Sequence, residues 1–237
     1  MCWRKGAVSR VIPLRDSTRS RSFPVVNFTL IVLNVVVFAY ELTLSPNALS
    51  RLFNAFGVVP ARYASLSVAL GTSPAALVSL FSAVFLHAGW LHLGGNMLYL
   101  WVFGDNVEDR MGHGTYLFFY LAAALVSNAA HIFSNPLSRM PTVGASGAVA
   151  GVLGAYLLLF PRARVLALVP LGFLFVTEVP AVIFLFLWFV LQLANGIAAL
   201  GVPASVGGQV AYWAHIGGFV SGMFLAIVLV RMRRNPA

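Results

Sequence analysis

Four polar side chains stand in otherwise apolar stretches: Ser146, His215, His92 and Asn96. Ionisable or strongly polar groups inside a membrane are costly, so they are functional candidates by default. Their types are complementary. A serine hydroxyl beside an imidazole is a nucleophile with its base. Histidine and asparagine N–H groups can hold the negative charge that develops on a carbonyl oxygen during acyl transfer.

Spacing places them at one level. Ser146 stands 16 residues before Arg162, His215 stands 16 before Arg231, and His92 stands 16 before Glu108. At a rise of 1.5 Å per residue, each lies roughly 24 Å from the inner charged edge of its stretch. Asn96 follows His92 by one helical turn on the same face. The small residues suggest which helices touch. Gly147 and Gly151 are four apart, as are Gly218 and Gly222, and such pairs let helix backbones approach closely in a membrane. His215 shares the face of Gly218 and Gly222. Packing these two faces together brings Ser146 within reach of His215.

Each feature has a bland reading. A lone small-x3-small pair is mostly a packing motif. A lone membrane serine usually bonds its own backbone, and a lone histidine can be an interhelical hydrogen bond or part of a proton path. What favours chemistry is the coincidence of depth with complementary types.

The elements that must hold these groups follow from composition. The 237 residues are 60% hydrophobic and 9% charged, with a mean hydropathy of +0.89. That is too little polar material to cover a water-facing surface. The expected fold is an all-α, polytopic membrane bundle of six helices near 24–42, 88–104, 115–133, 144–160, 178–199 and 210–230. Two apolar stretches are too long for one helix. Part of 75–87 is expected as a loop in the outer interface, and 165–177, with Pro170 and Gly172, at the inner surface. Residues 1–23 read as a basic, solvated tail and 233–237 as a short one, leaving 24–232 as the functional domain. A cleavable signal peptide is not expected, because the first apolar run is too long for one. Cys2 is the single cysteine, which allows no intrachain disulfide. The net charge of +9 sits at span edges, which does not suit nucleic-acid binding.

Lysine and arginine set the orientation. With the N-terminus inside, twelve of them lie inside and only Arg51, Arg62 and Arg139 outside. Both termini are then cytoplasmic, and the second, fourth and sixth spans all run inward.

The acids narrow the chemistry. Asp16, Asp105, Glu108, Asp109 and Glu178 map to the inner side, and only Glu41 lies near the outer end, on the first span. A Ser-His-Asp triad therefore lacks an obvious third member, and a Ser-His dyad is the simpler arrangement. No pair of aspartates lies mid-span. There is no H-E-x-x-H zinc motif, and His87 and His92, five apart, make a poor chelating step, so neither a metal nor another cofactor is expected. The G-x-S-x-G elbow of soluble hydrolases does not fit either, since Gly147 directly follows Ser146 and no strand precedes it.

The sequence resembles the rhomboid family of intramembrane serine proteases. The residues that carry the likeness are Gly144-Ala145-Ser146-Gly147, His87-x4-His92-x3-Asn96, and the stretch AHIGGFVSG with His215, Gly218 and Gly222. The stretch FGDNVEDRMGHG, with Glu108 and Arg110, is similar to the family's inner end of span 2. The resemblance covers about 24–232. It implies Ser146 as nucleophile, His215 as general base, and His92, Asn96 and the Ser146 backbone N–H as the oxyanion hole. Gly144, Gly147, Gly151, Gly218 and Gly222 would pack the helices around the site. His87 would be structural, as would Glu108 and Arg110. It further implies transmembrane proteins as substrates, a small residue before the cut, and residence in the lipid bilayer of a bacterial-type plasma membrane. Because a helical carbonyl is already hydrogen-bonded, a substrate helix must unwind first, which predicts cleavage near the outer end of single-pass segments that carry Gly or Pro.

The chain departs from the family at two places. Many members carry Trp-Arg in the first loop where Val78 and Ser79 stand here, and some carry an aromatic four residues after the nucleophile, where Ala150 stands. Two other readings compete: an inactive rhomboid-like scaffold that binds transmembrane segments, and a transporter using His87, His92, His131 and His215 as a proton relay. Retention of both Ser146 and His215 argues against the scaffold. The absence of an internal repeat argues against the transporter.

Overall fold

The computed structural model describes residues 12–64, 74–171, 173–200 and 210–234. Cys2, Arg4, Lys5, Arg10 and Gly172 lie outside the described residues. The chain begins with strand β1 (Ile12–Asp16) and helix α1 (Val25–Glu41). Helix α2 (Pro46–Phe56) and a 3₁₀ turn (Pro60–Ala64) follow, then α3 (Pro74–Ser82) with its own 3₁₀ turn (Ala83–Phe85). Helix α4 (Trp90–Met111) is bent from α3 and its turn by 81°. Next come α5 (His113–Ser134), α6 (Ser146–Leu159), strands β2 (Arg164–Leu171) and β3 (Phe173–Pro180), α7 (Ala181–Ala199) and α8 (Tyr212–Arg234).

Every expected span has a helix within a few residues of it, except that α4 runs on to Met111. By length and apolarity, α5, α7 and α8 can cross a membrane, and α4 makes a fourth if counted with α3 as one bent pair. Helices α1 and α6 are apolar but shorter, at 17 and 14 residues.

The all-α expectation needs correction. Strands β1, β2 and β3 form an antiparallel sheet in that order, in which Val165 pairs with Val179 and Asp16 with Val165. Residues 165–171 and 173–177 thus lie in paired antiparallel strands, whose ladder satisfies their backbone groups. Ile12–Asp16 is not part of a free tail, because it adds a strand to that pair. Asp16 also receives hydrogen bonds from the Tyr156 hydroxyl and the Asn106 amide. Burial pushes its carboxyl above the ordinary value. The second correction concerns 75–87, which is helical over Pro74–Ser82 rather than a loop.

The core is built where helices can touch. Gly218 packs so that a Cβ there would overlap the Gly147 carbonyl, and one on Gly222 would overlap the Gly151 carbonyl. These are the faces singled out by glycine spacing, so α6 and α8 meet backbone to backbone. Gly154 extends the seam, where a Cβ would strike the Phe219 carbonyl.

Helix α4 is held toward its C-terminal end by α1. Its Leu100–Gly104 segment is a π turn, and the Leu100 carbonyl accepts from the Asn27 amide at 2.9 Å. Such turns interrupt the regular backbone ladder, and here a side-chain donor meets one of its carbonyls. The Glu108 carboxylate accepts the N–H groups of Val26 at 2.9 Å and Asn27 at 2.7 Å. These belong to the first turn of α1, whose amides have no partner inside the helix and favour a negative charge.

Candidate active site

Three helices deliver the polar groups. Ser146 is the first residue of α6, His215 lies in the first turn of α8, and His92 and Asn96 lie in the first two turns of α4. The four residues thus lie at the starts of three helices that converge. Their first-turn N–H groups have no intrahelical acceptor and carry partial positive charge, which suits an anionic oxygen.

Ser146 Oγ and His215 Nε2 stand 2.8 Å apart. The glycine seam brings this about, because it leaves no side chain between the starts of α6 and α8. Ser146 is half-buried and His215 is buried. On the far side of the imidazole, Nδ1 lies 2.9 Å from Oε1 of Gln192 on α7.

The segment leading to Ser146 is fixed by the first loop. Val58 and Thr142 exchange both backbone hydrogen bonds, at 2.9 and 2.8 Å, and the Gly144 N–H donates to the Ala83 carbonyl at 2.9 Å. Thr142 Oγ1 also pairs with His131 Nε2 at 2.8 Å. Gly144 has φ +124°, a conformation L side chains rarely adopt. A Cβ there would press into the His92 ring, with Asn96 Nδ2 just beyond. The backbone before the serine therefore runs directly over His92 and Asn96, and only glycine fits.

His92 is set as a donor toward this space. Its Nδ1 accepts the Ala88 N–H at 3.4 Å, which leaves the ring proton of the neutral form on Nε2, the nitrogen facing Gly144. Asn96 Nδ2 donates to His87 Nε2 at 3.0 Å and retains a second N–H. His87 is fully buried, and its backbone N–H donates to the Glu41 carboxylate at 3.1 Å. His87 thus supports Asn96 from behind, and Glu41 ties the C-terminal end of α1 to the segment ahead of α4.

The arrangement can transfer a proton from a hydroxyl to an imidazole and offer N–H groups to a new oxyanion nearby. The more decisive observation for family is the match of residues 74–232, more than half of the chain, to the Rhomboid domain. The chain belongs to the rhomboid family.

Among characterised rhomboid relatives, the mitochondrial Rhomboid protein 1 of Saccharomyces cerevisiae is 34% identical over 151 residues, covering 62% of this chain and 40% of that protein. Rhomboid protease GluP of Bacillus subtilis is 33% identical over 150 residues, covering 63% of this chain and 25% of that protein. RHOMBOID-like protein 5 of Arabidopsis thaliana is 31% identical over 151 residues, covering 64% and 43%. The match therefore spans less than half the length of each of these relatives. Rhomboid membership and the long apolar helices make this a multi-pass integral membrane protein.

The rhomboid departures have local substitutes. Where many members carry Trp-Arg, the Ser79 hydroxyl pairs with Tyr63 at 2.6 Å, and the Tyr63 hydroxyl donates to the Ala76 carbonyl at 2.8 Å. These contacts tie the 3₁₀ turn after α2 to α3. Where some members place an aromatic, Ala150 is buried, and the rings around His215 are Trp188 at 5.9 Å and Tyr212 at 6.5 Å between centroids. Sequence reasoning missed Gln192, Trp188 and the supporting role of Glu41. Gln192 was open to discovery as a polar residue in an apolar span, but a search confined to the inward-running spans passes over it.

Proposed function

We propose that this chain is an intramembrane serine endopeptidase that cleaves peptide bonds in or near transmembrane segments of other membrane proteins. The observation that supports it most is the 2.8 Å approach of Ser146 Oγ to His215 Nε2 at converging helix N-termini. In this reading α1, α4, α5, α6, α7 and α8 are the six spans, residues 24–232 form the catalytic domain, and both termini face the cytoplasm of a bacterial-type plasma membrane.

His215 Nε2 takes the Ser146 proton as Oγ attacks the scissile carbonyl carbon. The carbonyl electron pair moves onto oxygen, where His92 Nε2–H, the free Asn96 N–H and the Ser146 backbone N–H receive it. Collapse breaks the C–N bond, and the leaving amine takes the proton from His215. Water then repeats the sequence at the acyl-enzyme, with His215 again as base. Substrates are single-pass helices cut near their outer end. Such a helix must unwind before its carbonyl is accessible, because a helical carbonyl is already hydrogen-bonded.

The test is covalent labelling of the purified protein with a fluorophosphonate. Wild type takes the label and Ser146→Ala does not. Equal labelling of both, or retained cleavage of a transmembrane peptide by Ser146→Ala, overturns the reading.

A further inference from the structure

The geometry points to Gln192 as the positioning residue for the base: its side-chain carbonyl holds the His215 proton on Nδ1, which leaves Nε2 as the nitrogen that accepts from Ser146. This rests on the hydrolase reading of Ser146 and His215. A general base needs a lone pair aimed at the nucleophile. Neutral imidazole has one N–H and one lone pair, and the partner on the far nitrogen decides which is where. Oε1 of Gln192 can only accept, so at 2.9 Å it selects the Nδ1–H form. Nε2 is then free to accept from the Ser146 hydroxyl at 2.8 Å.

Helix α7 is built to present this oxygen. Trp188, Gln192 and Gly196 recur every four residues and share one face. Trp188 lies beside the His215 ring, with the planes tilted by 34°. A Cβ on Gly196 would meet the Tyr212 Cβ at 3.4 Å and the end of Ile216 at 3.2 Å, so this face of α7 lies against α8. No acid stands near Nδ1 among the described residues, where a triad would place one. Ala150 gives α6 no ring to offer. The base is thus oriented from α7, by an amide one turn from an aromatic.

The experiment uses the full-length protein in lipid nanodiscs, as wild type, Gln192→Leu and Gln192→Glu. Cleavage of a transmembrane peptide gives kcat, KM and the pH profile. Imidazole ¹⁵N NMR, with His215→Ala to assign the signal, reads the tautomer directly. Gln192→Leu is expected to lower kcat by roughly 10–10² with KM within about twofold, since general-base catalysis as a whole contributes about 10²–10⁴. Its His215 signal moves away from the Nδ1–H form. Gln192→Glu, which keeps the acceptor, restores most of kcat. It also moves the acid limb of the profile to higher pH, because a carboxylate stabilises the imidazolium and the base stays protonated further up the scale. Wild-type kcat in Gln192→Leu, an unchanged tautomer in it, or a defect that Gln192→Glu leaves unrepaired overturns the positioning role. Absence of wild-type cleavage together with absence of Ser146-dependent labelling overturns the hydrolase reading instead. That result is distinguishable because it involves no Gln192 variant.

Discussion

Helices α6 and α7 are both strongly apolar, and both carry residues that surround His215. Helix α6 has ten consecutive buried residues, Gly147 to Tyr156. Helix α7 buries only Ala181, Phe184, Leu185 and Gly196 fully, and exposes Ile183, Phe186, Leu187 and Val190 along its other side. The difference lies in side-chain size. Three glycines and three alanines in α6 let neighbours approach on every side. In a membrane, apolar area gives helices little reason to associate, because lipid is as apolar as leucine. Close approach decides instead, so small residues mark the central helix and large ones face lipid. The proposed nucleophile starts the central helix, while the group proposed to orient its base sits on the helix that is packed on one stripe alone.

The largest expected effect tests whether the α6–α8 side carries the chemistry. Ser146→Ala and His215→Ala should each reduce cleavage by roughly 10⁴-fold or more, with unchanged thermal unfolding. The double variant should be no worse than either single one, because the two groups act as a unit. Additive losses in a four-member kinetic comparison would separate the pair. Next in size, Asn96→Ala should lower kcat by roughly 10²–10³ if its free N–H meets the oxyanion. A change confined to KM would assign Asn96 to substrate binding.

Two alanine substitutions then compare the packing of the helices directly. Gly222→Ala places a methyl on the Gly151 backbone, which cannot yield, and should destabilise by about 2–3 kcal/mol. Gly196→Ala meets the flexible end of Ile216 and gains helix propensity, so its net change should stay under about 1 kcal/mol. Reversible unfolding in mixed micelles measures both, and equal costs would erase the distinction between the two helices. The smallest effect belongs to the lipid-facing side of α7. Phe186→Leu should alter stability by less than about 0.5 kcal/mol and leave cleavage as it is.

The sequence pattern revealed the helices and the meeting of α6 with α8 because both depend on local spacing. Glycines four apart declare a face, and polar groups counted from a charged edge declare a depth. The sheet was not legible in the same way. VLALVPLGFLFV is an almost unbroken apolar run, and periodicity does not separate a two-sided hairpin from an interfacial segment. The third strand was hidden further, since Ile12–Asp16 is a short piece of a basic tail whose partner lies far along the chain. Gln192 stands out as a polar residue in an apolar helix, but its partner was not legible, because the contact with His215 is tertiary and nothing local to α7 tells which face meets α8. His87 and Asn96 lie nine positions apart across a break between helices, so helical spacing could not pair them.

Glu108 gives the first helix a dependence on time. The N–H groups of Val26 and Asn27 take their acceptor from a residue 82 positions beyond Val26. During synthesis at about 5–20 residues per second, roughly 4–16 s pass between the two. Over that interval α1 has no acidic cap of its own, and water at the membrane surface must serve its amides. In the six-span reading, insertion of α1 and completion of its N-terminus are therefore separate events, and the second waits for the C-terminal end of α4. A ribosome-bound chain ending before residue 108 should hold α1 in the membrane with its first-turn amides still open to hydrogen exchange.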